Sequence, residues 1–406
     1  MENTIPVLIV SLVVGFYMAW SIGASDVANA MGTSVGSRAV TIKQAIMIAA
    51  VFEFVGSFLA GSHVTNTIKQ GIIDPFSFTE DPDLFSWGMT GVLFSTGLWL
   101  QLASSRGLPV STTHSLIGSL IGFGLVCHGA NSVRWQTIGQ IFISWIIAPF
   151  LGGFLAWISF LGIRKYVLDS KNPLNLTRKI APLLLFTVTM VLVFLLLPKQ
   201  LRWLSIPFSG CCSILFFMTV CSKLSNNKLK NHDETLSCVE NIFSWLQIIT
   251  ACFMALAHGS NDVSNAIGPV AAVISVIQNH NIMLSSLVPM WLLGLGGIGI
   301  VFGLATYGRN VIETIGHNIT EITPTRGFAA EFGAAFTILI GSNFGLPLST
   351  TQVLVGAVIG VGLARGIAGI NFIVIRKILG SWLVTIPSTA ILSAILTYII
   401  KFLLSK

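Results

Sequence analysis

No charged side chain interrupts the chain between Glu2 and Asp26, and comparable apolar runs recur to the C-terminus. Runs of roughly 20 apolar residues, parted by short polar breaks, are long enough to cross a bilayer as helices. Only 9% of the 406 residues are charged and 53% are hydrophobic, whereas a soluble domain carries about 25% charged residues. A soluble fold of this length would lack the charged surface it needs. Twelve apolar segments can be counted, near residues 5–34, 42–62, 86–104, 109–127, 136–163, 179–198, 203–222, 241–275, 283–305, 327–343, 347–364 and 370–402. The expected fold class is therefore all-α: a polytopic membrane protein of about 12 transmembrane segments, some of them re-entrant. The first run has neither a basic leader nor a small-residue cleavage site, so it reads as a span rather than a signal peptide.

The first five and last five segments repeat one another. Asp26 matches Asp262 at an offset of 236, and Gly107-Leu108-Pro109-Val110-Ser111-Thr112-Thr113 matches Gly345-Leu346-Pro347-Leu348-Ser349-Thr350-Thr351 at 238. A near-constant offset over this distance marks an internal duplication. The expected organisation is a first repeat over 1–165, a middle insertion of two spans and a polar linker over 166–240, and a second repeat over 241–406. Seven crossings separate the start of one copy from the start of the next; an odd number makes the repeats inverted. With the N-terminus outside, the inner loops hold sixteen Lys and Arg and the outer loops six. The positive-inside rule then favours both termini outside.

Within each repeat two motifs carry chemistry. Asp26 and Asn29 stand three apart, as do Asp262 and Asn265, which on a helix puts both side chains on one face. A carboxylate and an amide carbonyl are hard oxygen ligands suited to a small cation. A carboxylate inside a membrane is costly enough to read as functional, and here it occurs twice. Gly23 and Gly259, with Gly32 and Gly268-Pro269 beyond, are expected to let these helices break and free further carbonyl ligands. In the second motif, proline cannot continue a helix begun upstream, and Ser and Thr are good N-caps. Ser111, Thr112 and Thr113, and likewise Ser349, Thr350 and Thr351, are thus expected to open half-helices inside the membrane. Their free N–H groups, dipole and hydroxyls suit an anion. None of the four motifs contains Lys or Arg. An oxyanion beside Asp26 and Asp262 therefore needs accompanying cations, because uncompensated charge in low dielectric is prohibitive.

Two further intramembrane acids, Glu53 and Glu331, are possible coupling acids: each could bind an ion, relay a proton or pair with a polar neighbour. Position 53 plus the repeat offset falls near 289–291, so the two are not counterparts. His114 is replaced by Gln352 in the second copy and His258 by Ile22 in the first; a structural hydrogen bond is the expectation for both His. The six Cys form no CxxC pair and read as small buried hydrophobes. No His/Cys cluster has metal spacing and no strand–glycine-loop–helix suggests a nucleotide, so no cofactor is expected beyond a coupling ion. The net charge of +7 is scattered among loops and forms no nucleic-acid patch.

These motifs resemble those of the inorganic phosphate transporter (PiT) family. Its members carry a Gly-Ala-Asn-Asp-Val-Ala-Asn-Ala type stretch and a Pro-Val-Ser-Thr-Thr-His type segment in each half. The resemblance implies symport of inorganic phosphate with Na⁺ or H⁺, a transport domain moving against a scaffold, and a homodimer in the bacterial inner membrane. It assigns phosphate to Ser111, Thr112, Thr113, Ser349, Thr350 and Thr351, with Asn261 beside them. Cations, or a share of the substrate site, fall to Asp26, Asn29, Asp262 and Asn265. Family members also keep acids at positions like Glu53 and Glu331. Two departures stand out: Ser25 replaces the usual Asn, and Gln352 the usual His. A sulfate or related oxyanion permease of the same fold is the alternative reading. An anion channel would avoid buried carboxylates, and an intramembrane aspartyl protease would need a Gly-x-Gly-Asp pattern absent here.

Overall fold

A computed structural model describes residues 4–106, 110–225, 232–279, 288–308, 322–366 and 372–404. Twelve α-helices account for most of these. They are α1 (Thr4–Gly36), α2 (Ile42–Gly71), α3 (Pro82–Ser105), α4 (Thr112–His128), α5 (Trp135–Ile163) and α6 (Pro173–Leu196). There follow α7 (Ser205–Ser225), α8 (His232–Asn279), α9 (Met290–Gly303), α10 (Pro324–Asn343), α11 (Thr350–Arg365) and α12 (Phe372–Leu404). Among the described residues the β-structure is limited to an isolated bridge between Ile73 and Val133. Eight helical stretches there are long and apolar enough to span a membrane. The chain is a multi-pass helical membrane protein. α4 and α11, at 17 and 16 residues, reach only about 25 Å at 1.5 Å per residue, short of the ~30 Å hydrocarbon core.

The packing is reciprocal between the two ends of the chain. α2 lies along α8 and α1 along α9; α5 lies along α11 and α4 along α12. Small residues set these crossings, as they do where lipid offers no hydrophobic drive for helix association. A Cβ on Gly23 would fall 1.8 Å from the Ile300 carbonyl oxygen, and one on Gly259 would fall 2.3 Å from that of Glu53. Both sites admit only glycine. This overturns the expectation that these glycines break their helices: α1 and α8 run unbroken through Asp26 and Asp262. The glycine is spent on close approach of a neighbouring backbone.

The apolar interior follows the same crossings. Met18, Ile22 and Val27 of α1 meet Val263 and Ile267 of α8 and Leu292 and Ile300 of α9 in one cluster. Phe328 and Ile338 of α10 join Val353 and Ala357 of α11 in another. Of the six cysteines only Cys127 is buried, while Cys211 on α7 is exposed. α7 presents Ile214, Leu215 and Met218 outward beside it, so an apolar side chain there meets lipid instead of protein.

Candidate ion and anion site

The starts of α4 and α11 are set by their caps. The Ser111 hydroxyl accepts from the His114 N–H and the Ser349 hydroxyl from the Gln352 N–H, each at 3.3 Å. Both serines have extended backbones outside the helix, the geometry of a capping residue. The expected half-helices therefore begin where the hydroxyls predict. Gly107, Leu108 and Pro109 lie outside the described residues.

The two half-helix starts meet the middles of α1 and α8. The Thr112 hydroxyl and backbone N–H both donate to Asp26 Oδ2, the latter at 3.4 Å, and the Thr351 hydroxyl donates to Asp26 Oδ1 at 3.3 Å. The Thr350 hydroxyl donates to Asp262 Oδ2 at 2.9 Å. Thr113 donates to the Leu348 carbonyl at 2.8 Å and accepts from the Asn265 amide at 3.3 Å. Asn261 donates to Ser342 Oγ and the Leu346 carbonyl, tying α8 to the segment ahead of α11. The Asn29 side chain lies outside the described residues, although its backbone belongs to α1. Ser25 turns its hydroxyl back to the Ser21 carbonyl at 2.8 Å, so its departure from asparagine leaves the contacts of Asp26 intact.

The histidine that sequence reasoning set aside lies at the centre. His258 Nδ1 is 3.0 Å from the Glu53 carboxylate, and Nε2 is 2.9 Å from Asp262 Oδ2 as an ion-pair contact. Asp26, Asp262, Glu53 and His258 are each no more than 2% exposed. Ligand atoms of Asp26, His258 and Asp262 all lie within 4.8 Å of one another. The available signal was the spacing of His258 and Asp262, which puts them four apart on one helix face; Glu53 gave none, because it arrives from α2.

Among the described residues three oxygens here have no hydrogen-bond donor: Asn261 Oδ1, Asp262 Oδ1 and Asn265 Oδ1. Buried acceptors are rarely left unpaired. A set of carboxylate and amide oxygens without donors is the ligand chemistry of a small hard cation.

Glu331 stands apart in its own cage. Its Oε1 accepts from Thr33 at 2.8 Å, Ser34 at 2.5 Å and Gln247 at 3.0 Å, and Oε2 accepts from Thr250 at 2.8 Å. Every donor is neutral. The two coupling-acid candidates thus differ: Glu53 reaches Asp262 through His258, whereas Glu331 joins α1, α8 and α10.

A helical membrane protein in which half-helix N-termini face buried carboxylates and donor-free oxygens belongs to the class of secondary transporters. Comparison with known proteins makes this specific. The profile of the phosphate transporter family matches residues 22–393, and the chain belongs to that family. It is 43% identical over 403 residues to a candidate phosphate permease of Haemophilus influenzae, covering 97% of this chain and 96% of that one. It is 43% identical over 424 residues to inorganic phosphate transporter 2-1, chloroplastic, of Arabidopsis thaliana, covering 97% of this chain and 72% of that one. Among solved structures it is similar to one described as the sodium-dependent phosphate transporter. There the TM-score is 0.90 at 39% identity, covering 98% of this chain and 99% of the other.

Proposed function

We propose that the chain is a cation-coupled symporter of inorganic phosphate, working by alternating access around the Asp26–Asp262 site. One observation carries the reading. The hydroxyls suited to an oxyanion, on Thr112, Thr350 and Thr351, are all donated to Asp26 or Asp262. A hydroxyl has one proton to donate, so it serves a carboxylate or a phosphate oxygen, not both. A cation bound by Asp26, Asp262, Asn265, Asn261 and, through its α1 position, Asn29 supplies the charge that the carboxylates otherwise draw from those hydroxyls. Thr112, Thr350 and Thr351 then turn to phosphate, joined by the Thr112 backbone N–H that Asp26 releases with them. Cation and anion binding assist one another through the same three hydroxyls, and neither ion is well held alone.

Sodium is the first candidate for the coupling ion. The similar solved structure is described as sodium-dependent, and the donor-free oxygens at Asp262, Asn261 and Asn265 suit a hard cation. The reciprocal crossings of α1 with α9 and α2 with α8 support two inverted repeats over 1–165 and 241–406, with 166–240 inserted. The excess of Lys and Arg in alternate loops supports both termini outside a bacterial inner membrane. A homodimer completes the proposal. In proteoliposomes, labelled phosphate should accumulate under an inward Na⁺ gradient and not under a K⁺ gradient of equal size. Accumulation driven by a proton gradient alone would replace Na⁺ by H⁺, and no accumulation under either would end the symport reading. Sulfate should compete poorly, since it brings no proton for a carboxylate to accept.

A further inference from the structure

Between α10 and α11 the chain passes through the protein without regular structure. Gly345 turns it at φ +69°, and Leu346, Pro347 and Leu348 then lead to the Ser349 cap, Pro347 and Leu348 being buried. Backbone outside a helix is tolerated at membrane depth only where the protein satisfies its polar groups. Here three consecutive carbonyls each receive a side-chain donor, and each donor comes from a different helix. Asn261 of α8 donates to Leu346 at 3.3 Å, Trp145 of α5 to Pro347 at 3.1 Å, and Thr113 of α4 to Leu348 at 2.8 Å.

Asn261 and Thr113 belong to the doubled motifs. Trp145 does not, yet it is only 5% exposed and makes a second contact. The His114 ring lies against its indole, with centroids 3.8 Å apart. His114 directly follows Thr113 at the start of α4, and Pro347 stands just ahead of the α11 cap. One side chain thus touches the beginnings of both half-helices. A displacement of Pro347 would carry Thr350 and Thr351 with it, and their hydroxyls reach Asp262 and Asp26. A binding constellation works only when the packing and hydrogen bonds behind it hold it to within about 0.5 Å.

We propose that Trp145 is a positioning residue of the anion site. Its N–H on Pro347 and its ring on His114 fix the separation of the two half-helix starts. Phosphate then meets Thr112 from one start and Thr350 and Thr351 from the other. The indole itself touches no ion, so its loss weakens affinity and spares turnover. The spacing claim holds whatever the cargo; the effect on affinity rests on the phosphate-symport reading.

The test uses the full chain. Trp145→Phe keeps a ring against His114 and removes the N–H. In proteoliposomes under a Na⁺ gradient its KM for phosphate should rise about tenfold, the scale of one buried hydrogen bond, with the maximal rate within about twofold of the parent. Trp135→Phe is the control. The Trp135 indole opens the same helix and also donates to a carbonyl, that of Ala130 at 2.9 Å, but at an exposed end, so its loss should leave KM at the parent value. A lower maximal rate with unchanged KM in Trp145→Phe, or an equal rise of KM in both variants, would overturn the positioning role in favour of plain packing. Should Trp145→Phe fail to fold, benzothienylalanine at position 145 keeps the shape of the indole without its N–H and carries the same expectation. Hydrogen–deuterium exchange in detergent without phosphate tests the spacing directly. Peptides covering 344–352 should exchange faster in the variant than in the parent, and those of α7 equally in both. Unchanged exchange at 344–352 would overturn the spacing claim. Faster exchange there in a protein whose parent carries no phosphate would refute the symport reading and leave the spacing claim standing.

Discussion

The surroundings of Asp26 and Asp262 are built on one plan and filled differently. Each acid follows a glycine that admits a neighbouring backbone: Gly23 meets Ile300 of α9, and Gly259 meets Glu53 of α2. Beside Asp26 the crossing is dry, with Ile22 and Ile300 both fully buried. Beside Asp262 the same two positions hold His258 and Glu53, joined at 3.0 Å. The packing therefore sets Ile300 opposite Glu53, not residues 289–291 as a uniform sequence offset implies. The backbone crossing needs only glycine and tolerates either filling. The polar pair is an addition to one half, and it places a third carboxylate and an imidazole within reach of a single aspartate. Two matching glycine crossings thus carry unequal chemistry.

That comparison can be broken most severely at the crossings. Gly23→Leu and Gly259→Leu each drive side-chain atoms into a neighbouring backbone, and both should abolish recovery of monodisperse protein in detergent. Folding of one and not the other would show that the two crossings are not equivalent. Next in size, Asp262→Asn should lower labelled-phosphate uptake by about 100-fold or more, because it removes a carboxylate from the cation site and the charged partner of His258 Nε2. Asp26→Asn, with no such pair beside it, should fall less. Equal losses would mean that the polar pair contributes nothing to the Asp262 site.

The pair itself can be exchanged for the filling the protein already uses. Glu53→Ile alone strips His258 of one partner and should destabilise the protein by about 3–5 kcal/mol, read as the midpoint of thermal unfolding in detergent. Glu53→Ile combined with His258→Ile reproduces the Ile300–Ile22 crossing and should recover most of that loss, with uptake still reduced about tenfold or more through the missing electrostatic contact. A double variant less stable than the single would show that the two crossings do not share a packing plan. The smallest effect belongs to Ser25→Asn. The Ser25 hydroxyl bonds to its own helix, so uptake should change less than about fivefold, the scale of one hydrogen bond.

Much of the site is legible in the order of the residues alone. Asp26 and Asp262 are marked by the expense of an intramembrane carboxylate, and Ser111 and Ser349 by their place after proline at a helix start. Both signals are local, and the caps at His114 and Gln352 match them. The role of Gly23 and Gly259 is not legible, since glycine serves a helix break and a close crossing equally well. Only the neighbouring backbone decides between them. His258 looks unpaired in the sequence because its copy in the first half is isoleucine, and its partner Glu53 lies 205 residues away. The cage around Glu331 is hidden for the same reason: Thr33 and Ser34 come from α1 and Gln247 and Thr250 from α8, far from Glu331 in the chain.

The sequence by itself determined that this protein lives in a membrane, that its two chemical motifs each occur twice, and that two short helices start at Ser-Thr-Thr. Composition, offset and capping chemistry are properties of the chain and hold whatever its helices pack against. Tertiary structure alone decided which acid meets which donor. A buried charge takes its character from what stands within about 4 Å of it, and here those neighbours arrive from other helices.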